Sequence, residues 1–151
     1  MFGRLRDVLT NVINLDSDEV MFVVLSRPDV QELIVILNTD EQLFQGINAD
    51  GISLNDIGGD YSLFTTVPIK KAKGLPFNFV TLFDEGDFYD TFKVKVQKDG
   101  FIIEADTIKE GTDLQDRWGF ELLGLTDESK NELVENIKEY IVAIITKKIL
   151  Q

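Results

Sequence analysis

Apolar residues near the start of the chain recur at helical spacing. Phe2, Leu5, Leu9, Val12 and Ile13 predict a short amphipathic helix over 2–13. A second helix is predicted from Ser26-Arg27-Pro28-Asp29, with Ser26 as its cap and Pro28 in its first turn. Val30, Leu33, Ile34, Leu37, Glu41 and Phe44 continue one face of it, and Gly46 offers a stop. Asp18–Leu25 fits helix and strand equally. From residue 92 the period changes to two: Phe92, Val94 and Val96 alternate with Lys93, Lys95 and Gln97, and Phe101, Ile103 and Ala105 follow Asp99-Gly100. Asp-Gly between alternating runs predicts a two-residue hairpin turn. Turning there pairs Val96 with Ile103 and Val94 with Ala105 on one face, and Lys95 with Glu104 and Lys93 with Asp106 on the other. The last helix is capped by Thr126, carries Asp127 and Glu128 at its positive end, and Lys147 and Lys148 at its negative end. Its stripe of Leu133, Ile137, Tyr140, Ile141, Ile144, Ile145 and Ile149 is expected to pack on the domain's own sheet.

These elements predict an α+β fold: N-terminal helices, a small antiparallel sheet centred on 92–106, and a long C-terminal helix across it. At 151 residues the chain is expected to be one domain. Residues 46–79 are punctuated by Gly46, Gly51, Gly58, Gly59, Gly74, Pro68 and Pro76 and show little periodicity, so they read as a long loop or arm. Lys70, Lys71 and Lys73 make this arm the basic cluster of the middle of the chain. They are candidate partner-binding residues.

Charge narrows the partners. Twenty-seven carboxylates against fifteen Lys and Arg give a net charge of −12, which opposes general affinity for DNA or an anionic membrane. There is no Cys and no His, which excludes thiolate and imidazole metal ligands, disulfides, and the Ser-His-Asp triad. What remains for catalysis is carboxylates, Lys and Tyr. No apolar run approaches the ~20 residues of a membrane-spanning helix, and Met1–Leu15 lacks the apolar core of a secretory signal, so synthesis in the cytoplasm is expected.

Val80–Val94 crowds Asp84, Glu85, Asp87 and Asp90 around Gly86. A Ca²⁺ loop needs six to eight oxygens at a spacing this stretch does not have. A carboxylate pair for glycoside hydrolysis carries little weight in so acidic a chain. The structural alternative has Gly86 forming a turn, Asp84 bonding the backbone two residues on, and Asp87 capping a helical turn that carries Phe88 and Phe92 inward.

The stretch Leu82–Phe92 resembles the L-x-D-T-G-x-[LF]-x-x-S signature of tailed-phage virion morphogenesis proteins, the Mu-like tail completion family and its head–tail joining relatives. Trp118-Gly119-Phe120-Glu121-Leu122-Leu123-Gly124-Leu125-Thr126-Asp127-Glu128 resembles the family's F-L-G-L-T/S block before its closing helix. The helix ending EQLFQGINADG and the segment YSLFTTVPIKKAKG are similar to the version in crAss-like phages. Glu85 and Thr91 stand where the family has Thr and Ser, and the His before the F-L-G-L block is absent.

The resemblance implies a non-enzymatic virion protein, made in the host cytoplasm. It would form a homo-oligomeric ring in the neck and touch the portal or neighbouring neck and tail proteins. DNA would pass through without sequence-specific binding, and neither cofactor nor metal is implied. Trp118 with Arg117 is the candidate aromatic and Arg anchor of the ring contact, and a core place for Trp118 under the C-terminal helix is the equal alternative. The rival readings are a small acidic adaptor or inhibitor of a basic partner, and a carboxylate-based, metal-dependent enzyme.

Overall fold

The computed structural model describes residues 2–150. The N-terminal third is helical: α1 (Phe2–Ile13), α2 (Ser17–Leu25) and α3 (Pro28–Thr39). The side chains of Phe2 and Ile13 lie outside the described part. The ambiguous Asp18–Leu25 is helix because Asp16 caps it, its carboxylate accepting from the amides of Asp18 and Glu19 at 3.0 and 3.3 Å. Ser26 closes this helix instead of capping the next one: its amide and hydroxyl both donate to the Phe22 carbonyl. Arg27 takes the cap position of α3 without a side-chain cap bond, and Pro28 supplies the first turn. α3 ends at Thr39, and a separate 3-10 turn at Leu43–Gln45 leads to Gly46, whose φ of 81° is the left-handed stop.

The middle segment is not a structureless loop. It contains α4 (Leu54–Gly58) and α5 (Thr66–Ala72), and it is tied to the body by long-range bonds that composition does not reveal. Asn55 Oδ1 accepts from the Val80 amide at 2.8 Å, and the Tyr61 hydroxyl accepts from the amides of Thr81 and Leu82 at 3.0 and 3.1 Å. Leu54 is fully buried.

The main hairpin pairs β1 (Lys93–Gln97) with β2 (Gly100–Glu104), antiparallel. The faces are as expected, but the register is displaced by two residues: Val94 opposes Ile103, Val96 opposes Phe101 and Lys93 opposes Glu104. The displacement sets two large apolar pairs against the core. A turn centred on Asp99-Gly100 would also have required positive φ at Asp99, and neither Lys98, Asp99 nor Gly100 adopts it. That conformation occurs instead in the next, two-residue hairpin, where Glu110 and Gly111, at φ 51° and 79°, join β3 (Ile108–Lys109) to β4 (Thr112–Asp113). Asp113 then caps α6 (Leu114–Trp118).

The long helix α7 (Asp127–Leu150) starts as expected, with the Thr126 hydroxyl accepting from the Ser129 amide at 3.1 Å. Its Leu133 and Ile137 share a core with Val24, Leu25, Val30, Ile34, Leu37 and Leu125, and the hairpin's Val94, Val96, Phe101 and Ile103 pack against that core. A second core gathers Leu43, Leu54, Val80, Phe88, Tyr89, Phe92, Leu114, Trp118 and Leu122. Ile103 touches both. The fold is therefore α+β, with the C-terminal helix packed on the sheet and on the N-terminal helices.

No helix among the described residues is long and apolar enough to cross a membrane.

Candidate functional site

The acidic stretch around Gly86 is organised by aromatics and by one lysine. Phe88, Tyr89 and Phe92 are buried and meet edge to face, with ring centroids 5.0 Å apart for Phe88 and Phe92. The Tyr89 hydroxyl donates to the Thr81 carbonyl at 2.6 Å, and burial pushes its pKa up. Gly86 does take a turn conformation, at φ 92°. The expected Asp84 and Asp87 turn bonds are replaced by others: Thr81 Oγ1 accepts from the Phe83 amide, and the Asp90 amide donates to the Gly86 carbonyl. Asp84 is instead held by Lys73, 2.6 Å away, whose hydrogen bond lowers its pKa. Glu85 lies 3.8 Å from the same ammonium. Among the described residues no three carboxylates converge on a point where a metal ion could sit.

The three lysines of the middle segment have different fates. Lys70 is only 6% exposed: its ammonium donates to the Phe83 carbonyl and lies 5.1 Å from the Tyr61 ring centroid. Lys73 is spent on Asp84. Lys71 alone of the three is exposed without a carboxylate partner among the described residues, its Nζ 4.6 Å from the Phe77 ring centroid. The basic cluster thus presents one uncommitted cation rather than three, because two are used to dock the arm on 83–85.

Trp118 is a core residue, 6% exposed, so of its two expected places the structure has the core and not the interface. The body over it is α4 and not the C-terminal helix: its indole lies flat against Gly58. Arg117 stacks on the same ring, 4.4 Å from its centroid, and donates through Nε to the Gly58 carbonyl at 2.7 Å. Arg117 and Trp118 do act together, as a clamp that fixes α4 to α6 from inside one chain.

The aromatic-Gly block after them is held by two buried amides of the α3 region. Asn38 donates to the Leu122 carbonyl and accepts from the Gly124 amide, at 2.9 and 2.8 Å. Gln42 donates to the Gly124 carbonyl and accepts from the Thr126 amide, both at 2.9 Å. Each side chain does for 122–126 what a neighbouring strand would do.

The surfaces left open are elsewhere. Leu5, Leu9 and Val12 of α1 stay about half exposed, while Asn11 donates to the Ile149 carbonyl at 3.2 Å. At the turn before α5, Leu63 and Phe64 are 75% and 92% exposed. Composition could have flagged Leu63-Phe64, an apolar pair inside a polar, glycine-rich segment. An open groove of about 1000 Å³ separates the β2 side of the hairpin from the start of α7. Comparison of the chain with protein-family models, curated proteins and solved structures yields no match.

Proposed function

We propose that the chain is a non-enzymatic structural subunit of a tailed-phage virion, one copy in a ring at the neck between head and tail. The resemblance of Leu82–Phe92 and Trp118–Glu128 to the morphogenesis family motivates this reading. The observation that carries it is the half-exposed apolar stripe of α1. An amphipathic helix normally buries its apolar face, and a chain that leaves about half of Leu5, Leu9 and Val12 uncovered has surface to give to a neighbour. A net charge of −12 fits a channel wall that lets DNA slide past without holding it.

Negative-stain electron microscopy of the purified chain, alone and mixed with portal complexes, tests the proposal. Rings with a central channel, formed alone or on the portal, are the expected result. A chain that stays monomeric in both conditions and binds one basic host protein tightly refutes it in favour of an acidic adaptor.

A further inference from the structure

We propose that the Leu63-Phe64 tip of one copy inserts into the groove between β2 and the start of α7 of a second copy. The tip is built rather than frayed. The amides of Thr66 and Val67 both donate to the Ser62 carbonyl, at 3.1 and 2.9 Å, and the Thr65 amide donates to Ser62 Oγ at 3.3 Å. Just before it, Tyr61 is bolted to the backbone of Thr81 and Leu82. This scaffold holds two large apolar side chains away from their own chain, the arrangement of an anchor waiting for a pocket.

The groove offers both kinds of contact. Phe101, Ile103 and Leu125 contribute apolar surface, and Asp50, Asp127 and Glu128, with Lys130, lie along it. No residue between 52 and 99 lines it, so the tip of the same copy does not fill it. Of the three lysines in segment 60–73, Lys70 is buried on the Phe83 carbonyl and Lys73 is paired with Asp84, which leaves Lys71 to face a partner. Lys71, in the last turn of the helix that follows the tip, is the cation that meets the acidic side chains of the groove. A second copy is the occupant these features select. Two chains of net charge −12 repel overall, and Lys71 meeting the carboxylates of the groove is a local exception to that repulsion.

Tip and groove are different surfaces, so the contact is heterologous and propagates head to tail, closing into a ring or continuing as a filament. Closure rests on the ring reading above; the contact itself does not.

The chain has no cysteine, which allows clean cross-linking. Leu63→Cys and Ile102→Cys change exposed or half-exposed side chains, Ile102 being 39% exposed on the groove wall. The two full-length variants are mixed under mild oxidation at increasing protein concentration. The expected dominant product is the mixed Leu63→Cys/Ile102→Cys dimer, and adding Phe64→Asp or Lys71→Glu to the first partner abolishes or weakens it. A mixed product no more abundant than random collision gives overturns the proposal. So does an intramolecular bridge in the double variant, which would mean that the tip folds into its own groove. Rings that persist in Phe64→Asp also sink the contact while leaving the ring reading intact. Mixed cross-links in open filaments or plain dimers uphold the contact and remove the ring.

Discussion

Gly58 lies so close to the indole of Trp118 that a Cβ at position 58 would sit 2.6 Å from Cδ1 and 2.8 Å from Cε2 of the ring. The indole is packed in the core with Leu54, Leu114 and Leu122, so an added Cβ displaces buried neighbours. Gly58→Ala is therefore expected to destabilise the chain by about 1–3 kcal/mol through overpacking. Trp118→Ala empties the site and is expected to cost about 3–5 kcal/mol. Urea denaturation of both variants measures this. A Trp118→Ala midpoint equal to wild type would return Trp118 to the surface.

The core role of Trp118 shows where sequence reasoning reaches its limit. α7 was legible end to end, since its cap, its charged ends and its stripe are all signals within one element. The faces of the main hairpin were legible for the same reason, because alternation is local. Its register was not: a two-residue displacement keeps every side chain on its face, and the choice is made by Phe101 and Ile103 finding the core under α7. The middle segment misled because its order comes from partners far along the chain, as in Asn55 with Val80 and Lys70 with Phe83. Three lysines in four residues read as one basic patch, yet burial divides them. The tip and the groove were both missed, since exposure is a property of what fails to pack.

Asn38 and Gln42 supply a second test. Asn38→Leu strands the Leu122 carbonyl and the Gly124 amide, and each buried unpaired group costs about 1–3 kcal/mol. Hydrogen exchange should show the Gly124 amide losing protection in Asn38→Leu, and the Thr126 amide losing it in Gln42→Leu. Protection unchanged in both variants would mean that the 122–126 segment is held by packing alone.

Lys70 and Lys71 are neighbours with opposite expectations. Lys70→Met keeps the side-chain length but deprives the Phe83 carbonyl of its donor, a loss of about 1.5–3 kcal/mol for a hydrogen bond to a charged group. Lys71→Met changes an exposed position and should shift stability by no more than about 0.5 kcal/mol. Thermal melts of the two single variants separate them. Equal melting temperatures would show that the buried ammonium contributes nothing.

Acid should act on the corner where α3 meets α7. Asp29 receives Arg27 Nε and a second guanidinium nitrogen, each at 3.1 Å, and the Tyr140 hydroxyl at 2.8 Å, while the guanidinium lies over the Tyr140 ring. These bonds, the Arg27 pair first and Tyr140 next, lower the Asp29 carboxyl from 3.8 to about 2. A carboxyl more acidic in the folded chain than in the unfolded one favours folding while it is ionised. Its contribution is complete above the unfolded value and fades as pH falls from about 3.8 through about 2. The group is exposed, so solvent and salt screen the effect and keep it small. Melting temperatures between pH 5 and pH 2 test it, in wild type and in Asp29→Asn. The variant should begin lower at pH 5 and lose less on acidification, so that the two curves converge. Asp84, lowered in the same direction by Lys73, continues to titrate in both proteins, leaving Asp29→Asn with a reduced slope rather than none. Parallel curves with a constant gap would mean that the Arg27–Asp29–Tyr140 contact is not formed in solution.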